Sequence, residues 1–432
     1  MNAARHPPPP VPPLSRRAEA LGTENAFVVL AEVNALLRQG KDIVSFCIGQ
    51  PDFPTPPNVQ EAAIAAIRTG KHGYTPSAGI DELRAAAARD IGARRGLAIA
   101  ADDVVVGAGA KPFIAYTIAS VTDHGAGDEV IYPVPGFPIY ESQILANGAV
   151  PVPIFLRESR DFAFDPAELE AAITPKTRLV ILNTPHNPTG GILRKGDLDA
   201  IAGILARHPR VWVFADEIYS RLAYDGAFDS IATRPGLLER TVICDGASKT
   251  WAMTGWRIGF AANRTLAPVF TRWITNTESC ASQISQWAAL AALTGPQDEP
   301  VGPDPDVQKM QQPFRAGYGP PLQDQLQGRE DLARQGVRVV NLSRSGNSMW
   351  NAVSQRAEGG INFTQDGKDG TAVWIMLGVN DFAYGFSTVE QFRERYLTFL
   401  GRIEPTPAQK IFCVTPLMSG FDYRQPDAVE RA

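Results

Sequence analysis

Between residues 104 and 262, short runs of β-branched and apolar residues alternate with longer stretches in which apolar positions return at helical spacing. The runs are VVV at 104–106, VIY at 130–132, LVILN at 179–183, VWVFA at 211–215, TVIC at 241–244 and IGFAA at 258–262. This alternation predicts an α/β fold over residues 46–296, with a mainly parallel sheet covered by helices on both faces. Ligands on such sheets sit at the strand ends. Ahead of it, NAFVVLAEVNALLR at 25–38 has helical spacing, Gly40 is a stop, and IVSFCIG reads as a short strand; residues 21–45 form an N-terminal arm. The HPPPPVPP run at 6–13 favours polyproline II and cannot pack a core, so residues 1–20 are expected to be a disordered extension.

The pattern changes after residue 296. Residues 297–330 are rich in proline and glutamine without sustained periodicity, which reads as a linker or junction. Apolar runs then resume at 337–342, 373–377 and 410–416, and Phe392, Tyr396, Phe399, Leu400 and Ile403 share one helical face. No internal repeat is visible.

Composition narrows the function. The 432 residues are 44% hydrophobic and 20% charged, with a net charge of -5 and no dense Lys/Arg run. Neither nucleic acid nor a membrane surface is an expected partner, and small-molecule chemistry is favoured. Cys47, Cys244, Cys280 and Cys413 are far apart and lie in apolar stretches, as buried thiols in a reducing compartment would. No secretory h-region or membrane-length apolar run is present, and the expected location is the cytoplasm. No metal-ligand spacing stands out.

The chemistry concentrates around Lys249, in GASKTWAMTGWRIGF. A lone lysine is usually solvated, but its neighbours here suit a different role. A Schiff-base lysine must present an unprotonated amine, which an apolar pocket and nearby positive charge favour. Arg257 supplies such a charge and a planar fork for a phosphate. In VWVFADEIYS, Asp216 closes an apolar strand, and a buried carboxylate requires a cationic partner. That partner is either a salt bridge or a charged ligand such as a protonated pyridine nitrogen, whose ring accepts electrons when a substrate loses its α-proton. Tyr219 is placed to donate a hydrogen bond to a ring oxygen.

Three further segments contribute. LNTPHNPTGG at 182–191 is a turn-rich loop after a strand; Asn187 offers an amide to a phenolic oxygen, while His186 reads as structural. VVGAGAKPFIAYTIA is a glycine-rich turn opening a helix. Pro112 stands where a dinucleotide fingerprint needs its third glycine, so the turn suits a phosphate held by the backbone N–H groups of Ala110 and Lys111. Phe137 in PVPGFPIY offers a ring to stack on a flat cofactor, with core packing as the alternative.

Together IGQPDFPTP, HGYTPSAGIDELR, the GAK turn, PVPGFPIY, NTPHNPTGG, ADEIY and SKTWAMTGWRIGF strongly resemble the class I/II aminotransferases of the aspartate aminotransferase fold, in the family's order and over roughly residues 20–298. The resemblance implies a fold-type-I large domain that binds pyridoxal 5'-phosphate. It makes Lys249 the Schiff-base lysine and proton shuttle, pairs Asp216 with the pyridine nitrogen, and gives the ring hydroxyl to Asn187 and Tyr219. Phe137 stacks on the ring, while Arg257, Ala110 and Lys111 hold the phosphate with Ser248 as a helper. The Gly49 backbone lies near the substrate carboxylate. Tyr74 reaches the phosphate of a neighbouring subunit, which implies a homodimer with shared active sites.

Beyond Asp298 the resemblance stops. The family's C-terminal small domain carries an arginine that clamps the substrate α-carboxylate, and Arg315, Arg329, Arg338 and Arg356 lie in no matching motif. Instead GVRVVNLSRSGNSMW, VWIMLGVNDF and PAQKIFCVTPL resemble blocks of the SGNH/GDSL-type esterases, with Gly346 and Asn380 at oxyanion-hole positions. There is no GDS nucleophile block, and all five histidines precede this segment, so no esterase activity is expected. Residues 331–432 read as an incomplete α/β, flavodoxin-like SGNH-type fragment, as a gene fusion would leave. The expected function is transfer of an amino group from an L-amino acid to a 2-oxo acid. The alternative is a pyridoxal-phosphate-binding but catalytically impaired fusion or scaffold protein.

Overall fold

The computed structural model describes residues 12–19, 21–22, 25–41, 43, 48–51, 54–223 and 228–296, together with the backbone of two strands at 372–376 and 410–414. A single helical turn, α1 (Arg16–Glu19), falls within the stretch expected to be a disordered extension. Helix α2 (Asn25–Arg38) follows the predicted bounds, and α3 (Pro57–Arg68) starts with proline in its first turn, where the missing N–H costs nothing. Helix α4 (Asp81–Arg95) has Asp81 and Glu82 in its first turn and Arg94 and Arg95 in its last, which suits the helix dipole, and it ends on Gly96 in the left-handed region.

From there strands and helices alternate: β1 (Val104–Gly107), α5 (Lys111–Val121), β2 (Glu129–Val134), α6 (Ile139–Ala146), β3 (Val150–Phe155), α7 (Pro166–Ala172), β4 (Thr177–Asn183), α8 (Lys195–Ala206), β5 (Trp212–Asp216), β6 (Thr241–Gly246), the one-turn α9 (Ala247–Thr250), β7 (Gly259–Ala262), α10 (Ala267–Thr277) and α11 (Gln283–Thr294). The strands form one seven-stranded sheet in the order β1-β7-β6-β5-β4-β2-β3. Five neighbours, from β6 through β5, β4 and β2 to β3, run parallel, and β7 is antiparallel to both β6 and β1. Because β7 runs backwards, its start lies at the same sheet edge as the ends of β1, β6, β5 and β4. Every polar motif singled out above between residues 107 and 259 therefore comes to that edge.

Strand β3 was not anticipated. Its sequence, VPVPIF, holds Pro151 and Pro153, each without an N–H to donate. It survives as a strand because it is the sheet's outer edge, pairing with β2 alone.

Alternate residues of the strands feed two apolar layers. Val105, Val130, Leu179, Ile181, Phe214, Val242 and Ala261 pack on one face with Phe113 and Ile118 of α5, Tyr140 and Ile144 of α6 and Phe270 and Ile274 of α10. Val104, Val106, Ile243 and Phe260 pack on the other face with Leu83 and Ile91 of α4 and with Ala288 and Ala289 of α11. On that same side Val180, Leu182, Val213 and Ala215 pack with Leu169 of α7 and with Leu198 and Ile201 of α8. Helix α2 is different: Val33 is buried, but Phe27, Val28, Leu36 and Leu37 are exposed. Cys244 is buried as expected, whereas Cys280 is only half-buried, because it follows α10 in a surface turn; Cys47 and Cys413 lie outside the described residues or their described side chains.

Strands β8 (Ala372–Met376) and β9 (Lys410–Val414) pair in parallel, from Ala372 opposite Lys410 to Met376 opposite Val414. They correspond to two of the three runs predicted after the junction. The run at 337–342, the helical face at 392–403, the junction itself, Gly346, Asn380 and the four orphan arginines lie outside the described residues, as does most of the predicted strand ahead of Gly49.

Candidate active site

Lys249 sits in α9, directly after β6, where the strand emerges from the sheet. Its Nζ donates to the Gly49 carbonyl at 2.6 Å and lies 5.9 Å from the centre of the Tyr219 ring. Two residues from the distant ends of this motif set thus meet at the lysine amine. Ser248 beside it is buried, and its carbonyl accepts the Met253 N–H at 3.0 Å, which folds the chain back after the one-turn helix.

Asp216 ends β5 and is 7% exposed. Tyr140 Oη of α6 donates to its Oδ2 at 2.6 Å, and Oδ1 is buried without a hydrogen-bond partner. Burial pushes the Asp216 carboxyl up to about 6, against the opposing pull of the Tyr140 hydrogen bond. The Tyr140 hydroxyl is driven far above its ordinary value, first by burial and then by the neighbouring Asp216 charge, so it is a permanent donor. Native structures rarely leave a buried carboxylate oxygen unpaired. An unpaired carboxylate oxygen at the end of a sheet strand suits a cationic N–H from a ligand.

The loop after β4 is fastened to the same place. Asn183, opposite Asp216 in the parallel register, donates from Nδ2 to the Asp216 carbonyl at 2.9 Å and accepts the Asn187 N–H on Oδ1 at 2.9 Å. Asn187 is therefore held over the end of β5 by Asn183, an amide at the end of an apolar run that carries no sequence signal of this role. His186 is buried; Nδ1 lies 2.8 Å from Thr189 Oγ1, and burial lowers its pKa to about 3. It is neutral at working pH and belongs to the loop's own scaffold, in agreement with its structural reading.

On the other side, α5 begins at Lys111 with Ala110 as its N-cap residue, preceded by Gly109 at φ +97°. Arg257, itself at φ +56°, donates from Nη1 to the Thr254 carbonyl at 2.9 Å and from Nη2 to the Ala108 carbonyl at 3.3 Å. A Cβ on Gly109 would lie 2.2 Å from Arg257 Nη2, and one on Gly259 would lie 2.2 Å from the Ala110 nitrogen. These two glycines let a guanidinium and a helix N-terminus share one small space, which fits a phosphate. Lys111 Nζ lies 5.2 Å above the Phe137 ring, which meets Tyr140 edge-to-face at 5.8 Å. Glu278, not foreseen, holds the turn from behind: its Oε2 accepts the Ala108 N–H at 3.2 Å and its Oε1 the Tyr116 hydroxyl at 2.7 Å.

Tyr74 stands apart from this cluster, 89% exposed. Its segment is nevertheless rigidly tied, since Gly73 N–H donates to Gln283 Oε1 at 3.1 Å and the buried Gln286 contacts both Thr75 Oγ1 at 3.0 Å and the Ile80 N–H at 2.8 Å. The structure thus brings Gly49, Lys249, Tyr219, Asp216, Asn187, Phe137, Ala110, Lys111 and Arg257 to one sheet edge and leaves Tyr74 pointing to solvent.

Comparison with known proteins shows the family. Residues 41–316 match the family described as aminotransferase class I and II, a match that runs past Asp298. An aspartate aminotransferase from Rhizobium meliloti (strain 1021) is 39% identical over 285 residues, covering 65% of this chain and 69% of that protein. An aspartate/prephenate aminotransferase from Cereibacter sphaeroides is 37% identical over 280 residues, covering 63% and 68%. Among solved structures, the aspartate aminotransferase of Thermus thermophilus with maleate superposes at TM-score 0.66 with 33% identity, over 76% of this chain and 81% of that one.

Proposed function

The chain belongs to the class I and II aminotransferases, and from that premise we propose which of its residues carry the reaction. The enzyme is a pyridoxal 5'-phosphate-dependent transaminase acting on an amino acid and a 2-oxo acid. When bound, the cofactor supplies an aldehyde carbon that takes up the amino group and a ring that draws off the electrons released at the substrate Cα.

The observation that carries the assignment is the unpartnered, buried Oδ1 of Asp216. An ionised Asp216 at that position binds a protonated ring nitrogen and keeps it protonated, with Tyr140 occupying its other oxygen. Lys249 Nζ would hold the cofactor's aldehyde carbon and, as a free amine, would be the base that takes the proton from the substrate Cα and gives it back to complete the amino transfer. The Gly49 carbonyl orients that amine, and the Gly49 backbone is assigned to the neighbourhood of the substrate's carboxylate. Arg257 and the amides of Ala110 and Lys111 bind the phosphate, with Ser248 assisting. Phe137 stacks on the ring, and Asn187 and Tyr219 bind its hydroxyl.

Two finer readings accompany this. The enzyme works as a homodimer with shared active sites: Tyr74 is 89% exposed on a braced segment, and Phe27, Val28, Leu36 and Leu37 of α2 present apolar surface to solvent. The first amino donor to consider is L-aspartate, on the strength of the relatives' names. No helix among the described residues is long and apolar enough to cross a membrane, and the cytoplasmic location proposed for the enzyme rests on its widely spaced cysteines.

The test is spectroscopic. Protein saturated with pyridoxal phosphate develops a visible absorption band that L-aspartate bleaches as the amino group passes to the cofactor, and Lys249→Ala abolishes the band. Saturated protein with no band would refute the assignment of Lys249 and Asp216 together.

A further inference from the structure

Asp216 and Glu217 are adjacent carboxylates at the end of one strand, and successive side chains of a strand leave on opposite faces. Asp216 faces Tyr140 of α6. Glu217 turns the other way and meets Arg95, at the last turn of α4, whose Nε donates to Glu217 Oε2 at 2.6 Å. The same guanidinium donates from Nη2 to Asp245 Oδ2 of β6 at 2.9 Å. The Arg95 side chain is 0% exposed, Glu217 1% and Asp245 5%.

The cluster extends around this bridge. Arg94 Nη2 reaches the same Asp245 oxygen at 2.6 Å, and Ser220 Oγ donates to it at 3.1 Å. Ser230 Oγ donates to Glu217 Oε1 at 2.6 Å. Asp90 pairs with Arg94 and Arg221 at the rim. Along the chain these residues interleave with those of the site: Asp216 and Tyr219 belong to the site while Glu217 and Ser220 face the cluster, and Asp245 in β6 lies four residues before Lys249 in α9.

We propose that Arg95, bridging Glu217 and Asp245, is a positioning residue for the cofactor site that clamps the ends of β5 and β6 to α4 and neutralises two carboxylates standing behind Asp216. The inference rests on the reading that Asp216 binds the ring nitrogen. The groups around Asp216 are Tyr140 from α6, Cys244 and Asp245 from β6, Glu217 and Tyr219 on its own segment, and Lys249 beyond β6. Tyr140 and Cys244 are held neutral by burial, and Lys249 is taken up by attachment. Glu217 and Asp245 are therefore the like charges that press on Asp216, and both raise its pKa. Among the described residues, Arg95 is the side chain whose guanidinium contacts both. Without it Asp216 would yield its charge more readily, and its hold on a protonated ring would weaken.

The proposal gives opposite signs for two substitutions, which a purely structural role does not. The readouts are the pH midpoint of the visible band of lysine-bound cofactor and the cofactor dissociation constant, both on intact full-length protein. Glu217→Gln removes a negative charge and is expected to lower the midpoint by about half a pH unit or more, while Arg95→Gln, which leaves Glu217 without its cationic partner and Asp245 with Arg94 alone, raises it by a similar amount. The double variant returns towards the unaltered protein, as coupled neighbours do. Midpoints that stay fixed, or move the same way in both single variants, overturn the inference. If Arg95→Gln does not fold, Glu217→Gln decides alone: a downward shift supports the inference and an unchanged midpoint overturns it. A missing band in the unaltered protein would instead refute the assignment of Asp216 and Lys249.

Discussion

Tyr140 Oη donates a 2.6 Å hydrogen bond to Asp216 Oδ2, so that one carboxylate oxygen is occupied by protein while the other, Oδ1, is buried without a hydrogen-bond partner. The bond joins α6 to the end of β5 across 76 residues of sequence. It favours the charged form of a group that burial drives towards neutrality.

Tyr140→Phe is therefore expected to raise the Asp216 pKa above about 6, since a hydrogen bond to a charged group is worth roughly 1.5–3 kcal/mol. In the cofactor-free protein a raised acid stabilises the fold fully below its unfolded value of 3.8, and that stability is lost as pH rises through the folded value. Denaturant titrations of the apoprotein across this range should show the loss centred at higher pH in the variant. In the holoenzyme kcat should fall about tenfold, with the acid limb of its pH profile moved to higher pH. An unmoved limb would separate Tyr140 from the Asp216 charge.

Gly109 cannot take a side chain without meeting Arg257, and its φ of +97° disfavours one in any case. Gly109→Ala should raise the dissociation constant of pyridoxal phosphate by about tenfold or more while leaving kcat at saturating cofactor nearly unchanged. Fluorescence titration with cofactor checks the first part and steady-state kinetics the second. An equal loss in kcat would mean that the turn positions more than the phosphate.

His186 is buried and neutral, with its pKa lowered to about 3 from 6.5. Its contribution to stability is present above 6.5 and is lost as pH falls through the folded value, because the unfolded chain takes up the proton first. The loss amounts to as much as about 5 kcal/mol. His186→Asn should flatten the stability profile over that window in urea titrations.

Tyr74 tests the shared site. Light scattering should give twice the 46.7 kDa chain mass for both the unaltered protein and Tyr74→Phe. The variant should bind pyridoxal phosphate more weakly, by about tenfold or more, as expected for one lost hydrogen bond to a charged group. A monomeric protein with undiminished cofactor affinity would rule out the shared arrangement.

Much of the fold was legible because its signals are local. Runs such as LVILN and VWVFA became β4 and β5, since continuous β-branched residues suit a strand buried on both faces. The edge strand β3 was hidden by its prolines, whose tolerance depends on sheet position, a property no local window carries. Lys249, Asp216 and Arg257 could be named because each is an ionisable residue beside a strand end or a glycine turn. Asn183, Tyr140 and Glu278 could not, because an amide at the end of an apolar run, a tyrosine in a helix and a glutamate after one have many ordinary uses.

By itself the sequence determined the alternating α/β pattern, the chemistry at Lys249 and Asp216, and the change of character after residue 296. Tertiary structure alone decided which groups meet: Tyr140 with Asp216, Gly49 with Lys249 across 200 residues, and Arg95 with Glu217 across 122. The physical reason is that periodicity and turn chemistry are encoded within a few residues. Hydrogen-bond partners and the charges around a buried carboxylate depend instead on strand order and helix packing, and here the antiparallel β7 brings Arg257 and Gly259 to the edge where β5 and β6 end.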